Sequence, residues 1–330
     1  MAALAALCWS SGAAQAPDAT SLRDGFRRAY DRSDWGSAIA IGERLAEALP
    51  GDPIPAYNLA CAYARNGDTD RALEWLERSA SRGFQRAGFM ARDPDLAGLR
   101  SHPVYAAISA KVEANAARAL DAFKARVDSA PVLVVQPSAA LGDEWVPLPL
   151  IVMLHGYGSK IDDVAPTFRV LAERVGAVLA VPQAIEPAGS GYDWAELDHA
   201  EVLVMRAVET AQKRARVDRR RIVLAGFSQG ASVAYGVGLR HPDVFAGVVA
   251  IAGAYDELAT PIPSPRPKRM PRFAIMCGGA DRGVDESRRA AQLLEGAGLH
   301  VRLRIYDGVG HRLPPDGLRE LRDAVAFVLR

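Results

Sequence analysis

The chain has 330 residues, 49% of them hydrophobic, with 40 basic and 39 acidic side chains and a formal charge of +1. That length provides for two domains, each able to bury its own core. So balanced a charge argues against a nucleic-acid or anionic-membrane binder, and no apolar run approaches the roughly 20 residues of a membrane span.

At the N-terminus, Met1 to Trp9 is apolar and Ala-rich, and Ala14-Gln15-Ala16 fits a small-x-small cleavage site before Pro17. No Lys or Arg precedes Arg23, so a positively charged leader segment is missing. Residues 1–19 read as a signal peptide, which would make the protein secreted or periplasmic. The alternative is a disordered terminus on a cytoplasmic protein. Beyond this segment only Cys61 and Cys277 remain, each in apolar sequence and in a different predicted domain. They read as separate buried thiols rather than a disulfide. No Cys/His cluster has metal-ligand spacing, so no metal is expected.

Residues 20–125 follow a helical pattern. Tyr57-Asn58-Leu59-Ala60, Tyr63, Gly67-Asp68, Ala72-Leu73 and Leu76 have helix-turn-helix spacing. Ala60, Ala72 and Ser79 are small where two helices must approach, and Gly67-Asp68 supplies the turn. At a period of 34 residues, Asp34, Ala38 and Ile39 match Asp68, Ala72 and Leu73, while Tyr30 aligns with Tyr63 only after a one-residue slip. Over residues 21–88 this resembles the tetratricopeptide repeat family. The resemblance implies a concave groove for a peptide or protein partner; the plainer alternative is a packing appendage. Two repeats fall short of the three or so an independent solenoid needs. A third helical pair is expected through Val104 to Phe123, and Ala106 to Val127 would link to the next domain.

From about residue 126 the pattern changes to alternating strands and helices. Strands are expected at 132–135, 148–154, 175–181, 221–225, 245–252, 273–277 and 301–306, with amphipathic helices such as 200–213 and 285–294 between them. Such alternation implies a doubly wound, mostly parallel sheet whose reactive edge lies at the strand C-termini.

The most informative residues are Gly226-Phe227-Ser228-Gln229-Gly230, a Gly-x-Ser-x-Gly pentapeptide. The apolar run Arg221 to Ala225 precedes it, and the proline-free stretch Ala231 to Arg240 follows it. Strand, glycine-flanked turn and helix are what a nucleophile elbow requires. A serine hydroxyl also needs a base, an acid to orient that base, and an oxyanion hole. Three histidines follow Ser228. His241 ends the helix after the elbow, and His300 precedes the last strand at the wrong edge of the sheet. His311 follows that strand by a short loop, where the base belongs. For the acid, Asp281 is the first carboxylate after the strand 273–277; Asp256 and Asp285 remain as alternatives, the latter better suited to a helix N-terminus. The Gln229 N–H would be one oxyanion donor, and the Tyr157 N–H, in Leu154-His155-Gly156-Tyr157-Gly158-Ser159, the other. His155 precedes the serine and reads as a residue bracing this loop.

The ordered combination of the His155-Gly156-x-Gly158 loop, Gly226 to Gly230, Pro242-x-x-Phe245-Ala246-Gly247, Gly278-x-x-Asp281 and Gly310-His311 resembles the α/β-hydrolase superfamily over residues 131–330. The likeness is to its phospholipase/carboxylesterase group. It implies hydrolysis of a small-molecule or acylated substrate, an ester or thioester, through an acyl-enzyme and without a cofactor; the alternatives are a serine peptidase of the same fold and a non-catalytic, repeat-containing scaffold. In the specificity region Gly189 to Trp194, Trp194 is the candidate substrate contact, but nothing there identifies the acyl group.

Overall fold

The computed structural model describes residues 17–138, 146–194, 196–257, 260–265 and 267–330. Of the expected signal segment 1–19, residues 1–16, with Cys8, lie outside the described residues, and residues 17–19 begin the first helix. The chain divides into two compact units, with the break between Phe123 and Lys124. Among the described residues, no helix is long and apolar enough to cross a membrane.

The first unit is helical. Its first four helices are α1 (Pro17–Asp31), α2 (Trp35–Ala48), α3 (Pro53–Arg65) and α4 (Thr69–Ser81). The 34-residue period recurs as geometry. Asp34 caps α2 by accepting from the Ser37 N–H, and Asp68 caps α4 by accepting from the Arg71 N–H, both at 3.1 Å. Ala38 and Ala72, four residues into each helix, are fully buried where the paired helices meet. The third helical pair expected at Val104 to Phe123 does not form. Those residues lie in one 25-residue helix, α6 (Pro103–Val127), after a short α5 (Ala87–Arg92) and a 3-10 turn at Pro94–Leu99. With no Gly or Pro between Val104 and Phe123, nothing in the sequence interrupts the helix.

Asp93, 0% exposed at the start of the 3-10 turn, anchors this unit. Its carboxylate accepts from the Tyr57 hydroxyl at 2.7 Å and the Asp95 N–H at 3.0 Å, with the Cys61 thiol 3.7 Å away. The Tyr57 ring stacks on Phe84 with centroids 4.3 Å apart.

The second unit is a seven-stranded sheet. In chain order its strands are β1 (Val132–Val135), β2 (Leu148–Leu154), β3 (Val178–Pro182), β6 (Val217–Phe227), β7 (Gly247–Ile251), β8 (Arg272–Gly278) and β9 (Val301–Tyr306). A separate hairpin, β4 (Glu186–Ala188) and β5 (Gly191–Asp193), follows β3. The spatial order is β1-β3-β2-β6-β7-β8-β9, with β1 antiparallel and every other pair parallel. Strands β3 and β7 are buried at every position, as continuous apolar runs in a doubly covered sheet should be. Helices α7 (Ile161–Val175) and α11 (Gly317–Val328) cover one face. Helix α8 (Leu197–Arg214) packs with α9 (Gln229–Arg240) on the sheet, and α10 (Val284–Gly296) lies against β8 and β9. From β2 the chain goes outward to β3 and returns to β6 on β2's other side. Between β2 and β6 the succession of strands reverses direction, which opens a crevice at their C-terminal ends.

Replacing Asp93 with Ala would leave the buried Tyr57 hydroxyl and Asp95 N–H without their acceptor. We expect the helical unit to lose about 2–4 kcal/mol, since each unsatisfied buried donor costs about 1–3 kcal/mol. Urea unfolding followed by circular dichroism measures this, and Asp93→Asn, which keeps an acceptor, should lose less.

Candidate active site

Ser228 stands between β6 and α9 with φ 55° and ψ −120°, a conformation rare for any side-chain-bearing residue. Its own N–H donates to the Ile251 carbonyl at 2.8 Å, and its carbonyl accepts from Ala231 at 2.9 Å. The flanking glycines are steric requirements. A Cβ on Gly226 would overlap the Gly230 carbonyl and lie 2.6 Å from the Ala231 nitrogen. One on Gly230 would lie 2.5 Å from both the Leu154 and His155 carbonyl oxygens.

His311, in the loop after β9, stands beside the serine. Its Nε2 is 2.9 Å from Ser228 Oγ, and its Nδ1 is 2.7 Å from Asp281 Oδ2. An ionised carboxylate only accepts, so Nδ1–H donates to Asp281 and Nε2 is left to accept from the serine. Asp281, 4% exposed, also accepts from the Gly283 N–H at 2.8 Å through its other oxygen. The alternative acids lie elsewhere. Asp285, in the first turn of α10, pairs with Arg288 at 2.8 Å, and Asp256 is exposed in the loop after β7. His241 caps the C-terminus of α9, with its Nε2 3.0 Å from Glu201.

The loop after β2 lies directly against the elbow: a Cβ on Gly156 would be 3.4 Å from the Ser228 Cβ. Among the described residues, neither the Tyr157 nor the Gln229 backbone N–H donates to a protein acceptor. The Tyr157 ring is 49% exposed. His155 is fully buried; its Nδ1 is 2.8 Å from the Gly156 carbonyl, and its Nε2 is 2.9 Å from Gln183 Nε2 and 3.2 Å from the Ala184 nitrogen. Burial lowers the His155 pKa below that of an ordinary histidine.

Trp194, expected to touch substrate, is 1% exposed, and its indole N–H donates to the His155 carbonyl at 2.8 Å. The ring therefore supports the loop from within and offers no open face. Residues that sequence reasoning missed surround it. The Gln229 amide donates to Asp193 and accepts weakly from the Trp194 N–H at 3.4 Å, tying the β4–β5 hairpin to the elbow. Tyr192 of that hairpin exchanges backbone hydrogen bonds with Gly158 and Ser159 at 3.0 and 3.1 Å. An open cleft of about 710 Å³ flanks the loop, with Lys160, Ile161, Gln183 and Tyr192 among its lining; Ser228 and His311 are not part of it.

Cys61 and Cys277 are both buried and free. In the helical unit, ligand atoms of Cys61, Asp93 and Asp95 lie within 4.8 Å of one another. Local spacing could not reveal that grouping, because Cys61 is on α3. Its oxygens already accept from Tyr57, Tyr30 and the Asp95 N–H, which accounts for the cluster as a hydrogen-bond network.

Residues 193–329 match the family model described as phospholipase/carboxylesterase. A curated relative, "Putative esterase NocK" of Nocardia uniformis subsp. tsuyamanensis, is 31% identical over 140 residues. The match covers 40% of this chain and 40% of that protein, so it spans well under half of the relative's length. Among solved structures, esterase PE8 aligns with a TM-score of 0.51 at 23% identity, over 60% of this chain and 97% of its own. A Rhizomucor miehei esterase structure aligns with a TM-score of 0.49 at 18% identity, over 60% and 80%. At these identities the structural likeness is one of fold. The second unit has the α/β-hydrolase fold, with its residues 193–329 similar to the phospholipase/carboxylesterase family, and the first is a helical domain compatible with helical repeats.

The lowered His155 pKa has a definite sign. The unfolded chain binds the proton more readily, so the stabilisation is complete above the ordinary histidine pKa of about 6.5 and is lost as pH falls through the lower folded value. The urea midpoint should therefore drop on acidification below about pH 6.5, and His155→Gln should flatten part of that drop.

Proposed function

We propose that the second unit hydrolyses carboxylic esters or thioesters through an acyl-enzyme on Ser228. The observation that carries this reading is the unbroken series Ser228 Oγ, His311 and Asp281, at 2.9 and 2.7 Å, set on a strained elbow. His311 Nε2 takes the hydroxyl proton as Oγ attacks the carbonyl carbon. Asp281 keeps the ring oriented and stabilises the imidazolium. The carbonyl oxygen, now negative, is received by the Tyr157 and Gln229 N–H groups, each such donor being worth roughly 3–4 kcal/mol in the transition state. His311 then returns its proton to the departing alcohol or thiol, and water, activated by the same ring, releases the acid. No step in this sequence calls for a cofactor. Trp194 acts by holding the loop, and the β4–β5 hairpin shapes the approach to it.

The helical unit takes no part in bond breaking in this scheme. We read its helical pairs as a tetratricopeptide-like surface that selects a larger acylated substrate or a peptide partner, because remote binding energy does little for a small ester. Residues 1–19 are read as an export signal, on the strength of the apolar run and cleavage site alone.

Ser228→Ala and His311→Ala should each lower kcat on a p-nitrophenyl ester by roughly a millionfold, and Asp281→Asn by roughly ten-thousandfold. A fluorophosphonate should label the protein once, at Ser228. A fall below tenfold at Ser228 or His311 in a folded protein removes that residue from the scheme, and a larger effect at Asp256→Asn reassigns the acid.

A further inference from the structure

Gln183 follows the last residue of β3, on the far side of the loop from Ser228 and outside the series that moves protons. Its amide is pinned at both ends. Oε1 accepts from the Ile161 N–H at 3.0 Å, which settles which end is oxygen, since a backbone N–H can only donate. The NH2 end therefore faces His155 Nε2 at 2.9 Å. The Ala184 N–H reaches the same nitrogen at 3.2 Å. With two donors directed at it, Nε2 carries no proton, so the single ring proton of a neutral His155 sits on Nδ1. That N–H donates to the Gly156 carbonyl at 2.8 Å.

The Gly156 carbonyl and the Tyr157 N–H belong to one peptide plane, and in a trans peptide they point in opposite directions. A carbonyl drawn inward to the His155 ring therefore turns the Tyr157 N–H away from the ring. We infer that Gln183 is a positioning residue for hydrolysis: by holding His155 as its Nδ1–H tautomer, it aims the Tyr157 N–H at the developing oxyanion. The inference rests on the ester-hydrolase reading above. The opposite tautomer would set the Nδ1 lone pair against the Gly156 oxygen and leave that carbonyl held only by the longer bond from the Ser159 N–H at 3.3 Å, so the peptide would be less firmly oriented.

The test uses two substitutions in the full chain. Gln183→Glu keeps shape and the acceptor for Ile161 but replaces the donor at Nε2 with an acceptor, which favours a proton on that nitrogen. Gln183→Leu removes the amide. Both should lower kcat on a short p-nitrophenyl ester by about 10- to 100-fold, approaching the roughly 100- to 1,000-fold loss from deleting an oxyanion donor. KM should stay within about threefold, because the donor acts mainly in the transition state. A general loss of folded protein would instead reduce active-site titre, counted with a fluorophosphonate. The unaltered protein supplies a second readout: the 15N–1H correlations of the His155 ring should report Nδ1–H wherever the enzyme is active. An Nε2–H ring, or folded variants with kcat within about threefold of the parent, would overturn the inference. If Ser228→Ala still hydrolyses the ester, the underlying reading fails instead, so the two failures are distinguishable.

Discussion

The arrangement depends on how closely three pieces of backbone approach one another at the crevice between β2 and β6. Gly230 leaves room for the Leu154 and His155 carbonyls to touch the first turn of α9, where any Cβ would stand 2.5 Å from both. That contact brings the loop after β2 against Ser228, which itself holds an unusual backbone conformation. Such a conformation costs about 1–3 kcal/mol and survives only where the surroundings over-determine it. Here they do so through hydrogen bonds: the Ser228 N–H is held by β7 and its carbonyl by α9. The sheet therefore stabilises an exposed hydroxyl that no isolated turn would hold in place.

Around that point, buried polar groups are satisfied in a way that also orients them. Asp281 is nearly inaccessible, yet one oxygen accepts from the Gly283 N–H and the other from His311. A carboxylate so held cannot swing away without leaving a buried charge unpaired, a large penalty in a low-dielectric interior. The same logic governs His155, whose ring, carbonyl and neighbouring Gln183 form a closed set with Trp194 and Ile161. Two different histidines thus have rings fixed by their partners. One presents its second nitrogen to the serine; the other is turned entirely inward.

Much of this was legible in the sequence because it is local. The apolar run 148–154, the pentapeptide around Ser228 and the short loop from Tyr306 to His311 each announce their own structure, and chain order did the rest. The strand expected at 221–225 extends from Val217 to Phe227, because Val217 pairs with Leu148 beyond an irregularity in the register that spans the polar residues 218–221. What stayed hidden depends on long-range contacts. Gly189-Ser190 is a hairpin turn whose flanks are too short to show alternation, and Tyr192 of that hairpin bridges to Ser159. Gln183 is an unremarkable polar residue after a strand until His155 arrives from 28 positions away. Trp194, the candidate substrate contact of the segment Gly189 to Trp194, has its indole N–H turned inward to the His155 carbonyl.

The helical unit shows the converse, a regularity clearer in space than in residues. The tight turn before α4 uses Gly67 at φ 84°, a conformation glycine adopts freely. At the equivalent turn before α2, 34 residues earlier, Ser33 takes the corresponding position at φ 57°. The first turn has kept its geometry and its Asp cap while losing the glycine that makes such a turn recognisable. Asp34 offsets part of that strain by satisfying the Ser37 N–H, a cap contribution of about 1 kcal/mol. Ala38, like Ala72, preserves the close approach of the paired helices, since any larger side chain there would force them apart. The two helical pairs, α1–α2 and α3–α4, therefore share a cap and a small interface residue although their turn residues differ.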